Sequence, residues 1–225
     1  MRAPVRAATA VVLLTALAGA SPSLADPITF DDVPTDVYDT VSVGGAVFRA
    51  QNPIHSISVL AGVQNCIRCA ENGTPYLSAW GYPPVGILMT TVSGDPFSLY
   101  EFDAAESFAV LPERWARRID VIGQLAGGGM ISTSFVLDRI LDGIGGAEDF
   151  QRFTLPASFT MLSSVLFVGA GNTAVSEGLV FQDFAIDNIV TDLPAPIPEP
   201  ATIGLLLTGL AIVRRRILKA RASIH

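Results

Sequence analysis

The sequence predicts an all-β protein, a β-sandwich carried between two appended ends. Three observations lead there. From residue 26 to about 192, short runs of β-branched and aromatic residues alternate with Gly, Pro, Asn and Asp, the punctuation of strands and turns. Several of these runs alternate apolar and polar residues with period two, as strands with one buried face do. Over the same stretch no long run has apolar residues at helical spacing; the one helical rival, "PERWARRI" (112–119), is too short to change the class.

The first element precedes the sandwich. "MRAPVRAATAVVLLTALAGASPSLADP" opens with Arg2 and Arg6, continues as an apolar stretch from Ala7 to about Ala18, and reaches small residues ending at Ala25. Charge, apolar run and an A-x-A-like site in that order make residues 1–25 a secretory signal peptide. Eleven candidate strands follow, at 27–30, 42–50, 55–61, 75–80, 86–92, 98–105, 116–125, 130–138, 151–156, 163–169 and 181–190. In "RRIDVIGQL", Ile119 and Val121 share one face while Arg118 and Asp120 take the other; in "QRFTLP", Phe153 and Leu155 fall opposite Arg152 and Thr154. The Gly-rich segments 124–130 and 141–149 read as connections. Runs of this number fit a sandwich or jelly roll whose sheets cover each other.

The last strand holds an anomaly. In "FAIDNIV", alternation sets Phe184, Ile186 and Asn188 on one side and Ala185, Asp187 and Ile189 on the other. Both faces are largely apolar, yet Asp187 sits among them, and a buried carboxylate needs hydrogen bonds, a charge partner or a cation. "ITFDD" offers Asp31 and Asp32 at the other end of the domain, and first and last strands of jelly rolls often lie together. Asp31, Asp32 and Asp187 are therefore the candidate ligands of a structural Ca²⁺, a cation that prefers such hard oxygen donors. The alternative is that Asp187 caps a turn while Asp31 and Asp32 are solvated.

Charge narrows the partners. All 21 acidic residues lie between Asp26 and Glu199, against seven arginines and no lysine, a net charge of −14 for that stretch. A body this acidic is unsuited to nucleic acid, which selects for Lys and Arg. Cys66 and Cys69, in "NCIRCAENG", are the two cysteines; in an exported chain they read as a local disulfide, with free thiols or a redox or metal role as alternatives. Zinc would need two further ligands, and His55 is the only histidine of the body.

No nucleophile elbow, zinc-binding helix motif, P-loop or dinucleotide fingerprint occurs, and no catalytic residue is assigned. Glu101, Asp103 and Glu106 would supply carboxylates for a glycosidase, but spacing singles out no pair. A binding platform has better footing. "PYLSAWGYPP" gathers Tyr76, Trp80 and Tyr82, flat aromatic surfaces of the kind sugar rings stack on; the competing reading places Tyr76 and Trp80 in the core.

The C-terminal end reads "PIPEPATIGLLLTGLAIVRRR". Residues 193–200 form a Pro-rich linker, 201–213 a short apolar helix, and 214–225 a basic tail. The apolar run is 13 residues long, below the ~20 of a comfortable span, and Arg214, Arg215 and Arg216 stop it on the cytoplasmic side. Pro198-Glu199-Pro200, the short apolar helix and the arginine cluster together resemble the PEP-CTERM sorting signal of exported proteins in Gram-negative bacteria that make exopolysaccharide. Isoleucine at 197, where valine is common, and the extra residues "ILKARASIH" are departures. The resemblance implies an exosortase, a membrane-embedded cysteine protease-transpeptidase, as partner, with cleavage near Pro198–Pro200 after a transient stay in the inner membrane. From "ITFDD" to "FAIDNI", residues 26–192 also resemble the jelly-roll, carbohydrate-binding-like domains found ahead of such tails. The expectation is a non-catalytic envelope or matrix protein associated with exopolysaccharide. A secreted carbohydrate-active hydrolase and a purely structural surface protein are the alternatives.

Overall fold

Alternating apolar runs bounded by turn residues become twelve β-strands in the computed structural model, which describes residues 26–52, 56–61, 69–81, 84–107, 109–141, 149–175 and 178–194. The signal peptide, the Pro198-Glu199-Pro200 motif, the apolar run and Arg214–Arg216 lie outside the described residues, as do His55, Cys66 and Tyr82. One sheet runs, in spatial order, β1 (Asp36–Tyr38), β4 (Ile57–Leu60), β5 (Tyr76–Ala79), β12 (Phe184–Thr191), β7 (Leu99–Ala105) and β10 (Gln151–Thr154). The other runs β2 (Thr40–Val43), β3 (Ala46–Ala50), β6 (Gly86–Thr91), β11 (Leu162–Ala170), β8 (Arg118–Leu125) and β9 (Met130–Val136). All neighbours within both sheets are antiparallel.

The expected β-sandwich is present, and no helix occurs among the described residues. Only β2–β3, β4–β5 and β8–β9 join as hairpins within a sheet; every other connection crosses to the opposite sheet. The single strand expected at 42–50 is in fact the β2–β3 hairpin. Gly44 and Gly45 take φ of 57° and 77°, the left-handed pair that a two-residue turn requires. The first and last strands meet as anticipated, but 27–30 contributes only one bridge, with Ile28 N–H donating to the Ile189 carbonyl at 2.8 Å and Ile189 N–H returning at 3.0 Å. "PERWARRI" forms no helix; Trp115 makes a single parallel bridge to Asp183.

Inward faces of both sheets fill one core. At its centre the Phe102 ring lies 5.2 Å from Phe167, 5.5 Å from Phe135 and 5.6 Å from Phe153. Burial of each such side chain contributes about 1.5–3 kcal/mol, and edge-to-face contact adds to it. Gly169 on β11 lets the segment leading into β12 pass close by, because a Cβ there would collide with the Gln182 carbonyl oxygen.

The outer faces differ, and this positions the site. On β8, β9 and β11 exposed or half-exposed residues alternate with more buried ones. β5 and β12 are buried on nearly every residue, because loops pack over the outer face of their sheet. There Tyr76, Ala105 and Ala185 meet Ala70, Trp115 and Leu141 in a second apolar cluster.

β12 also departs from simple alternation. Asn188 has φ 48° and the register with β7 shifts between Asp187 and Val190, the mark of a β-bulge. The extra residue reverses the side-chain phase, so Ile189 joins Phe184 and Ile186 in the main core while Asp187 points outward under the loops. The alternation expected for Asn188 and Ile189 is corrected accordingly.

Candidate functional site

The covered sheet carries two groups of chemistry-bearing side chains. The first surrounds Asp187. Fully buried on β12, it accepts hydrogen bonds at Oδ2 from Asn72 Nδ2 (2.7 Å) and the Thr74 hydroxyl (3.3 Å), while its Oδ1 has no partner. Burial pushes its pKa up to about 6, hydrogen bonds from Asn188, Asn72 and Thr74 oppose the shift, and the charge of Asp31 adds to it. The loop over it is held by its own turn chemistry. Asn72 Oδ1 accepts from Thr74 N–H at 3.1 Å, and Glu71 Oε1 accepts from Gly73 N–H at 3.1 Å, the local side-chain bonds that Asn and acidic residues favour in turns.

Asp31, Glu71, Gly73, Thr74 and Pro75 line a cavity of about 400 Å³ beside this point. Glu71 Oε2 is buried without a partner, and Glu71 N–H donates to Asp149 Oδ2 at 2.7 Å. Asp31 lies near enough for its charge to act on Asp187. Asp32 is exposed and is not part of the cavity wall. Among the described residues, no three His, Cys, Asp or Glu side chains are gathered closely enough to hold a metal ion.

The second group surrounds Trp80, just past the end of β5. Its side chain is 40% exposed, and its indole N–H donates to the Ser58 hydroxyl on β4 at 2.9 Å, so the ring is tethered at its polar edge. The following corner is fixed too. Gly81 N–H donates to Asp183 Oδ1 at 3.1 Å, and the fully buried Asp183 is paired with Arg114 at 2.7 Å. Burial raises the Asp183 pKa and the Arg114 guanidinium opposes it. Asn52, Ser56 and Pro84 share a small recess with Trp80, so amide and hydroxyl groups adjoin the exposed ring.

Tyr76 corrects the expected platform. It is fully buried, with its ring 5.1 Å from Phe150; burial, then Asp149 and Glu71, push its phenol pKa up. Successive residues of a strand point to opposite faces, but here the face of Tyr76 is covered by loops, so period alone did not reveal its burial. Tyr82 lies outside the described residues. Cys69 is buried and is not a free thiol; its pairing with Cys66 remains an expectation, since Cys66 is outside the described residues.

The three carboxylates considered for catalysis are engaged differently. Asp103 pairs with Arg152 at 2.8 Å and accepts from Asn188 Nδ2 at 2.9 Å. Glu101 accepts from the Thr154 hydroxyl at 3.3 Å. Glu106 is fully buried and accepts from Arg139 N–H, with Oε2 unpartnered. Sequence reasoning passed over Glu71, Asn72 and Thr74. "ENGT" announces a turn, but nothing local announces that Asn72 docks on a residue 115 positions away.

No family model matches this sequence, and neither does any curated protein. Among solved structures it is similar to a DUF4465 family protein from Bacteroides caccae, at 9% identity and TM-score 0.42, covering 74% of this chain and 92% of that one. It is also similar to TmCBM61, solved in complex with β-1,4-galactotriose, at 10% identity and TM-score 0.35, with 65% and 86% covered. A third likeness is to the CBM22-1–CBM22-2 tandem domain of Paenibacillus barcinonensis Xyn10C, at 13% identity and TM-score 0.40, covering 77% of this chain and 50% of that one. All three likenesses are remote.

Proposed function

We propose that this chain is an exported, non-catalytic β-sandwich protein that associates with extracellular polysaccharide through the surface around Trp80. The observation that carries the reading is the tethered, part-exposed indole beside Asn52 and Ser56. A sugar presents C–H groups on one face and hydroxyls around its rim; an aromatic ring with neighbouring amide and hydroxyl groups matches both. The acidic body directs this toward neutral glycans, since anionic ones are repelled.

Calcium belongs to the same proposal as a structural ion. Asp187 and Asp31 are the ligands retained from the expected set, joined by Glu71, whose Oε2 is buried and unpartnered like Asp187 Oδ1. As placed, these three carboxylates are not close enough together to hold an ion, so binding must draw Asp31 and Glu71 toward Asp187. Export by residues 1–25, retention by 201–213 and exosortase cleavage near Pro198–Pro200 complete the reading, and they rest on the sequence alone.

Titration of soluble neutral polysaccharides into the protein, followed by tryptophan fluorescence and calorimetry, tests the binding. Trp115 is buried, so a spectral change on binding reports Trp80. Trp80→Ala is expected to abolish binding with little loss of stability. Undiminished binding by that variant sinks the assignment, and turnover of any glycan sinks the non-catalytic reading. Mass spectrometry of the mature protein tests sorting, and a terminus still at His225 counts against it.

A further inference from the structure

Among the described residues, four strands form the edges of the two sheets: β1, β10, β2 and β9. The first three have only three or four residues each, and β1 carries Asp36 while β10 carries Arg152. β9 reads Met-Ile-Ser-Thr-Ser-Phe-Val, seven residues without charge or proline. An uncharged edge of this length is a template for another strand, and proteins that avoid such pairing block it with charge, proline or a bulge.

The backbone groups that β9 turns away from β8 can be identified. Leu125 N–H donates to the Gly129 carbonyl and Leu137 N–H to the Arg117 carbonyl, both at 3.0 Å, on either side of a register that sets Met130 opposite Gln124 and Val136 opposite Arg118. Hydrogen-bonded pairs alternate along an antiparallel ladder. The odd-numbered residues Ile131, Thr133 and Phe135 therefore bond to β8, and the N–H and C=O groups of Met130, Ser132, Ser134 and Val136 point away from the sheet. These four residues are also exposed, Met130 at 72% and Val136 at 74%.

We propose that β9 is the docking edge for a second copy of this chain, paired antiparallel about a two-fold axis through Thr133. The strand's own order selects this partner and register. About Thr133 the sequence is a palindrome in chemical kind: Met130 falls opposite Val136 of the second copy, Ile131 opposite Phe135, Ser132 opposite Ser134, and Thr133 opposite itself. Apolar meets apolar and hydroxyl meets hydroxyl, the cross-strand matches that stabilise a pair. Moving the axis by one residue to Ser132 sets Met130 against Ser134 and leaves Val136 facing Gly128 in the hairpin turn. The centred register forms about eight backbone hydrogen bonds.

Charge favours the same surface. Two bodies of like net charge repel, so contact is best made where charge is absent or already neutralised. β9 has none, and on adjacent β8 Asp120 is paired with Arg118 at 2.8 Å. The result is a reversible dimer with one sheet continuous across both copies, and it does not depend on glycan binding.

Sedimentation of the full chain over a concentration series tests the proposal, with the apparent mass expected to double as concentration rises. Met130→Lys with Val136→Lys sets like charges directly opposite and is expected to hold the chain as a monomer. Met130→Lys with Val136→Glu sets opposite charges together and is expected to keep the dimer. Thr133→Cys, on the two-fold axis in a non-hydrogen-bonded pair with closely spaced Cα atoms, is expected to cross-link two copies on mild oxidation. Ile131→Cys, facing Phe135, is not. A monomer at every concentration, identical behaviour of the two charge variants, or cross-linking equal at both cysteine positions would each overturn the proposal.

Discussion

Replacing Glu106 by Gln turns a buried acid into a neutral isostere, and the consequence for stability follows from its surroundings. Glu106 is fully buried, with Oε1 taking the Arg139 N–H and Oε2 without a partner. Burial is the main cause pushing its pKa up to about 7; the Arg139 N–H opposes it, Asp138 adds to it and Arg117 opposes it. In the unfolded chain the group titrates near its ordinary value of 4.5. Between those values the fold holds a proton that the unfolded chain has released, so stability is fully present below about pH 4.5 and falls as pH rises through about 7. A difference of roughly 2.5 pKa units corresponds to about 3 kcal/mol. Gln does not titrate, and its amide NH₂ stands where the protonated acid already has an unpartnered O–H, so the two side chains leave the same kind of donor unsatisfied at low pH. Glu106→Gln is therefore expected to match the parent to within about 1 kcal/mol at pH 4 and to gain about 3 kcal/mol relative to it by pH 8. Urea unfolding followed by fluorescence, at steps between pH 4 and 9, measures both curves. Subtracting one from the other removes every other titrating group. A difference that stays flat across that range refutes the reasoning.

Three further outcomes are expected. Chelation lowers the melting temperature of the parent, calcium restores it, and Asp187→Asn, which keeps a side-chain acceptor for Asn72 but removes the charge, responds to neither; a response undiminished in the variant removes the calcium site. Arg114→Met leaves the buried Asp183 carboxylate without its cation and costs about 3–5 kcal/mol in denaturant unfolding, whereas Arg114→Met with Asp183→Asn recovers most of that loss; no recovery in the double variant argues against the pairing as the cause. Gly169→Ala drives a methyl into the Gln182 carbonyl oxygen and costs about 2–3 kcal/mol, while Gly127→Ala, with no atom within 4 Å of the added carbon, is close to neutral; equal melting temperatures for the two variants contradict the close approach at Gly169.

Local pattern was enough for much of the architecture. Period two in "RRIDVIGQL" and "QRFTLP" identified the buried faces of β8 and β10, because a pleated strand sends alternate side chains to opposite sides. Gly-Gly at 44–45 was legible as turn chemistry but was absorbed into a longer strand, since only backbone φ distinguishes a turn from a flexible strand glycine. Asp187 stood out as an acid within an apolar strand, and its proximity to Asp31 was inferred from the meeting of first and last strands. Its phase in the strand was also legible, up to the bulge at Asn188 that shifted Ile189 into the core.

What the sequence by itself determined is the class of protein, the strand pattern, the acidic body and the ends resembling export and sorting signals. These depend on neighbours along the chain, where spacing sets which face a side chain takes. Tertiary structure alone decided which residues share a site. It brought the 71–74 turn onto Asp187, took Tyr76 out of reach of any ligand beneath its loops, and left Trp80 part-exposed with its edge tied to Ser58. The physical reason is the crossing of most connections between the sheets: such contacts join distant residues, and no local periodicity records which loop closes over which strand.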